Sequence, residues 1–374
     1  MAAPPIRFAP RDAFFTELKA EVEAHLATGG RDRHATMALH LKTAFLLVGL
    51  ATVVTTALLM SMSWLTVVPM GVALGLFIGG IGFNIMHDAN HGSYSRKPWV
   101  NRILGMSLDL LGGSSRLWRV KHNQVHHAWT NIEGVDDDID VGFLGRMSPE
   151  QRWMKAHRFQ HLYFWPLYGF LGVKWHWFDD FFQMARGKIG PREIGPLGRG
   201  GWALFILGKV VFFTWALVLP IAVMGPALGI TFYLIAQITM GVVLAVVFQL
   251  AHCVEPAAFH PLSAGPVPVD FARHQLSSTV DFAAGNRLVT WYVGGLNYQA
   301  VHHLFPTISH AWYPELSPIL ARVAEKHGVT YLRIPTLRAA IASHYRFLKR
   351  MGARPTPEPA TVDGLIAQAN PLHP

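Results

Sequence analysis

The sequence predicts an all-α, multi-pass membrane protein: two transmembrane helical hairpins, four spans in all, carrying a helical cap on the cytoplasmic side. Three observations carry that prediction. No charged residue occurs from Thr43 to Met86 or from Val210 to Ala251, turn-forming residues interrupt each stretch near its middle, and Lys and Arg gather on one side of both. Crossing the ~30 Å hydrocarbon core takes about 20 apolar residues in a helix, so each stretch suffices for two crossings. The turn signals are Ser61, Ser63 and Pro69 in the first stretch and Pro220, Gly225 and Pro226 in the second.

A hairpin returns the chain to the side it left, so His87 and His252, which end the two stretches, emerge on one face. Arg7, Arg11, Lys19, Arg31, Arg33 and Lys42 precede the first hairpin, and Arg96, Lys97, Arg102, Arg116, Arg119 and Lys121 follow it. The expected turns carry neither Lys nor Arg. The positive-inside rule then makes the histidine face cytoplasmic. The same loops over anionic lipid headgroups account for the net charge of +9 without any nucleic-acid partner. A single cysteine, Cys253, excludes a disulfide framework and a thiolate metal site. The opening residues have no apolar signal core, so the first hairpin is expected to stay in the mature protein.

The remaining elements follow in order. Residues 1–42 hold Phe14, Phe15, Leu18, Val22 and Leu26 at helical spacing before Gly29-Gly30, an amphipathic helix suited to the membrane surface or to the cap. Ile103 to Gly113 is apolar but too short to span and contains Asp109, which suits a helix at the interface. The aromatic-rich run from Arg158 to Phe182 suits the headgroup layer. Arg186 to Gly201, with six glycines and two prolines, reads as a loop. Mixed polar helices are expected from Tyr313 to Met351, then a disordered Pro-rich tail. The expected domains are a cytoplasmic segment 1–42, a membrane domain 43–319 and a C-terminal part 320–374.

Histidine spacing carries the chemistry. His87 and His91 stand four apart, His122, His126 and His127 repeat that step and add a doublet, His252 ends the second hairpin, and Gln299-Ala-Val precedes the doublet His302-His303. On a helix, residues four apart share a face and adjacent ones diverge by about 100°. The doublets therefore suit a dinuclear centre better than a mononuclear one. An imidazole set without thiolate fits iron, zinc, copper or nickel, and a structural zinc closes at four ligands, fewer than the eight offered. Asp88 and the run Asp136, Asp137, Asp138 and Asp140 either orient imidazoles from behind or form a solvated acidic loop. His274, in Arg273-His274-Gln275-Leu276, is either an additional ligand or an interface residue. The other eleven histidines, His25, His34, His40, His157, His161, His176, His260, His310, His327, His344 and His373, read as hydrogen-bonded polar residues with no metal role.

These clusters resemble the three histidine boxes of membrane fatty acid desaturases, over roughly Leu65 to Ile319. Gln299 in place of a third-box histidine, His274-Gln-Leu-Ser-Ser-Thr, and Asn297-Tyr-Gln-Ala-Val-His-His-Leu-Phe-Pro306 resemble the front-end, linoleoyl delta-6-like subgroup. That resemblance implies a membrane oxidoreductase with two non-haem iron ions and dioxygen as co-substrate, acting on a long-chain acyl lipid or acyl thioester, in a bacterial inner membrane. Many front-end enzymes carry a fused haem domain with a His-Pro-Gly-Gly motif, which this sequence lacks. Electrons are then expected from a separate ferredoxin or cytochrome-type carrier, docking on the basic loops from Arg96 to Lys121. Two other functions fit the same residues: a hydroxylase or other oxygenase on this scaffold, and a membrane metal transporter or sensor. Against transport, the uncharged stretches hold no histidine or acid at mid-membrane depth.

Overall fold

The computed structural model describes residues 6–261 and 265–355, and the chain is mostly helical. The principal helices are α1 (Ala13–Thr28), α2 (Met37–Leu59), α3 (Trp64–His91), α4 (Pro98–Gly105), α5 (Arg119–His126), α6 (Gln160–Tyr168), α7 (Gly198–Met224), α8 (Pro226–His252), α9 (Phe271–Ser278), α10 (Gln299–Leu304), α11 (Tyr313–Lys326) and α12 (Leu337–Gly352). The Pro-rich tail and His373 lie outside the described residues.

Among the described residues four helices, α2, α3, α7 and α8, are long and apolar enough to cross a membrane. They are longer than the uncharged stretches imply. Helix α3 continues past Met86 to His91 and stops only at Gly92, whose φ of 75° suits glycine. Helix α7 starts at Gly198, inside the segment expected to be a loop, and carries Arg199 and Lys209. The charge of Lys209 is answered within the protein: its Nζ lies 2.6 Å from Asp180 Oδ2 and donates to Gly112 O at 2.5 Å. Pro220 is likewise no turn. It sits in α7 just after a wide, π-type turn at Thr214–Val218, which accommodates the N–H that proline lacks. The reversal falls at Gly225, with φ 81°.

Helices α3 and α8 pack most closely, because glycine lets the backbones meet. A Cβ at Gly75 would lie 2.5 Å from Ala236 O, the small-residue contact that brings membrane helices together. Around it Leu74, Ile78, Phe83, Phe232, Met240 and Leu244 form the main core. Leu47, Val48, Leu65, Ile206, Leu207 and Val223 are exposed on the other faces, as suits segments whose solvent is lipid.

The amphipathic N-terminal helix packs on protein. Phe14, Leu18, Val22 and Leu26 of α1 join Leu316, Leu320 and Val323 of α11 in one buried cluster. Asp12 caps α1, accepting from Phe14 N at 2.9 Å. Helix α12 buries Phe347, Leu348 and Met351 against Phe164 and Tyr168 of α6. Two small sheets complete the fold: an antiparallel pair, Lys188–Ile189 with Arg192–Glu193, and a parallel pair, Asp281–Phe282 with Arg333–Ile334.

Candidate metal centre

Four segments deliver the eight clustered histidines to one place. His87 and His91 stand one turn apart at the end of α3, their rings 4.7 Å apart. They follow a wide turn at Gly82–Met86, which inserts a residue and re-aims the side chains after it. Helix α5 is wide-turned throughout: His127 N donates to His122 O, five residues back, at 3.0 Å. His252 ends α8. The short α10 carries Gln299, His302 and His303, and Asp281 Oδ1 accepts from Ala300 N at 2.9 Å in its first turn.

Two groups result. His87, His91, His122 and His302 place one nitrogen each within 4.8 Å of one another, and so do His126, His252 and His303. His127, with His302 and His303, makes a third set that joins them. The doublet divides, with His302 in the first group and His303 in the second.

Burial sets the charge state. Seven of the eight are buried and His91 is half-buried. Desolvation, reinforced by neighbouring imidazoles, holds His122, His127, His302 and His303 well below the ordinary histidine range. They are neutral, the form that binds metal. His126 shifts the other way: burial opposes its charge, but the Asp136 carboxylate outweighs it. His126 Nδ1 lies 3.1 Å from Asp136 Oδ2, which fixes the tautomer and leaves Nε2 for the group.

The residues fit a metal. His87 Nε2, His91 Nε2, His302 Nε2 and His127 Nδ1 are buried with no hydrogen-bond partner. Each such atom costs roughly 1–3 kcal/mol unpaired, and four within one cluster make a set of lone pairs that a cation would satisfy. At His302, and likewise at His303 and His252, the opposite ring nitrogen is held. His302 Nδ1 pairs with Tyr313 OH at 3.1 Å, His303 Nδ1 with Gln275 Oε1 at 2.8 Å, and His252 Nδ1 with Ser278 O at 3.2 Å.

The polar residues singled out from sequence divide. Gln299 Nε2 lies 3.0 Å from His252 Nε2 and 3.2 Å from His303 Nε2, and its carboxamide, turned over, presents oxygen to the same point. Asp88 accepts from Ser309 Oγ at 2.8 Å and lies 3.0 Å from His310 Nδ1, behind His87. Asp138 stands 3.5 Å from His126 but pairs more closely with Lys121, at 2.9 Å. His274 turns away: its Nε2 meets Thr130 O at 2.9 Å, and it enters neither group. Its neighbour Gln275 supplies the contact to His303. Tyr313, Gln275, Thr130 and His310 have no spacing signal, and only the run around His274 pointed near one of them.

Lys121 also pairs with Asp137, Arg116 donates to Ile194 O and Pro196 O, Arg119 donates to Asn90 Oδ1, and Arg96 pairs with Asp32. Those cations bond the protein's own loops, while Lys97 and Arg102 in the same stretch are exposed. Trp129 packs away from the histidines with Arg192 over its ring. Trp118 does line a slot. With Met86, Leu108, Leu111 and Phe248 it encloses a narrow apolar space that reaches His87.

A buried, imidazole-rich, two-group site that could hold metal lies at the ends of apolar helices, beside an apolar slot. The fatty acid desaturase family model matches residues 62–335, and the chain belongs to that family. It is 37% identical to an sn-1 linoleoyl-lipid 6-desaturase of Arthrospira platensis, over 94% of this chain and 95% of that one. A protein of the same name from a Synechocystis species is 35% identical, over 94% and 99%, and an acyl-lipid (8-3)-desaturase of Physcomitrium patens is 34% identical, over 92% and 72%. The protein is a fatty acyl desaturase, an oxidoreductase that introduces a double bond in an oxygen-dependent reaction.

Proposed function

We propose that the two imidazole groups hold two iron ions and that the protein is a front-end desaturase, placing a new double bond between an existing one and the carboxyl end of a long acyl chain. The observation that carries this reading is the convergence of eight imidazoles with four buried nitrogens left unpaired. His87, His91, His122 and His302 would hold one ion. His126, His252 and His303, with Gln299 beside them, would hold the other, and His127 lies between. When bound, the irons supply the oxidising chemistry that dioxygen needs to take two hydrogens from neighbouring methylenes.

The chain's own part is positioning. A methylene offers no charge to grip, so the choice of carbons falls to the apolar slot. Its free volume of ≈ 30 Å³ is room for about one water-sized group. An acyl chain entering it must displace flexible side chains, and Met86 and Met240 are suited to that. Relatives named linoleoyl-lipid and acyl-lipid desaturases favour a lipid-bound acyl group over an acyl thioester.

In this reading residues 43–319 are the desaturase core, with α1 packed on α11 and α12 packed on α6. The spans form two hairpins, α2–α3 and α7–α8, and the histidines face the cytoplasm of a bacterial cell, because the Lys and Arg that flank the hairpins mark that side. Electrons come from a separate carrier. Expression in a host that makes no polyunsaturated lipid, fed linoleate, tests the proposal. The expected product gains a double bond on the carboxyl side of the existing ones. A hydroxylated product without a new double bond would replace the desaturase with an oxygenase.

A further inference from the structure

Between α1 and residues 304–308 lies a cleft with a free volume of ≈ 280 Å³, and we propose that it seats an acidic, one-electron carrier protein that supplies the reaction. The proposal rests on the desaturase reading above and gives its electron donor a docking surface. Taking two hydrogens from neighbouring methylenes yields two electrons, while reducing dioxygen to two waters consumes four. The missing two come from the carrier, oxidised by one electron at each of two visits, and two protons come from solvent.

A donor has to stand where little protein separates it from the clustered histidines, because electron tunnelling weakens steeply with the distance crossed. One wall of the cleft runs from Leu304 to Ile308, and Leu304 is joined directly to His303. The opposite wall, on α1, is fastened to it. The Phe15 and Phe305 rings stand 5.9 Å apart, and close by Arg33 O accepts from Ser309 N at 2.8 Å.

Charge identifies the occupant. Arg11, Lys19 and Arg33 are exposed on the cleft, against a single carboxylate, Glu23. Neighbouring cations on α11 and before α2 are answered: Arg31 pairs with Glu315 at 3.1 Å, Lys326 with Glu17 at 2.6 Å, and Arg322 with Glu21. Among the described residues Arg11 and Arg33 form no ion pair; Arg11 lies over the Phe15 ring at 5.3 Å, and Lys19 reaches Glu23 only at 3.9 Å. Phe15, Phe305 and Pro306 beside them are half-buried. An apolar floor rimmed by unanswered cations suits transient docking of an acidic protein. Lys97 and Arg102 stand in different company. Trp99 and Ile103 next to them are 61 % and 58 % exposed, which suits a helix lying among lipid headgroups.

The test titrates the purified full chain in detergent with an acidic iron–sulfur ferredoxin, reading double-bond formation with the reduced form and binding with the oxidised form. Arg11→Glu combined with Arg33→Glu should raise both the half-saturating concentration and the dissociation constant about ten-fold and flatten their dependence on salt. The rate with dithionite, a small reductant that needs no docking, should stay at the wild-type level. Arg11→Gln with Arg33→Gln should shift binding less, in the same direction, and Lys97→Glu with Arg102→Glu should leave it unchanged. Wild-type ferredoxin binding in both cleft variants would overturn the site, as would a wild type that turns over with dithionite but binds no ferredoxin. If the cleft variants lose affinity for phosphatidylglycerol in mixed micelles and keep it for ferredoxin, the cleft takes lipid and the docking proposal fails. A wild type that forms no double bond with either donor would overturn the desaturase reading, and the binding measurement would still decide the site.

Discussion

Behind four of the eight clustered imidazoles stands a group that selects the tautomer: Asp136 for His126, Tyr313 for His302, Gln275 for His303 and the Ser278 carbonyl for His252. Removing such a support costs roughly 10- to 100-fold in metal affinity or activity. Tyr313→Phe and Gln275→Ala should therefore lower bound metal and turnover while the proteins still fold. Replacing His126, His302 or His303 with alanine should abolish turnover altogether. His274→Ala should keep its metal, because that ring bonds Thr130 O; metal-to-protein ratios measured side by side check the contrast. The clustered histidines are legible from sequence because their four-residue steps and doublets are a local pattern. Their supports were not. Tyr313 lies eleven residues from His302 and Gln275 lies 28 residues from His303, and no periodicity links residues that only the tertiary fold brings together.

At the scale of elements, the charge-free stretches revealed which helices are apolar but underestimated how far they run. A lysine with an internal partner can lie in a span, and the partner, Asp180, sits 29 residues away on a different segment. Lys209→Met alone should be severely destabilising, by about 3–5 kcal/mol, since it leaves Asp180 buried and unpaired. Adding Asp180→Asn should recover much of the loss. Thermal unfolding in detergent reads both, and a single variant as stable as wild type would contradict the pair's structural role. The wide turns before His87 and through α5 were also invisible to periodicity, since the same residues fit an ordinary helix. Asp281 caps α10 through Ala300 N, so Asp281→Ala should lower stability by ~1 kcal/mol and loosen the third box with it, seen as a lower unfolding temperature and partial loss of metal.

For the whole molecule, the fold places the ends of α3 and α8 beside α5 and α10, so that residues from four regions of the chain close one site. Fold class and the histidine set follow from hydropathy and spacing. The docking of α1 on α11 and the self-bonding of the basic loops needed coordinates, because amphipathic helices and cations do not announce their partners in sequence. If the two-hairpin topology holds, single cysteines placed near Ser63 and Gly225 should label from outside the cell, and one near Asp137 only from within. Whether two adjacent imidazole groups hold two irons is read most directly by metal analysis of the purified protein. The account predicts about two iron ions per chain, with His91→Ala and His303→Ala each lowering that content. One zinc per chain and no iron, in protein that desaturates its substrate, would contradict it.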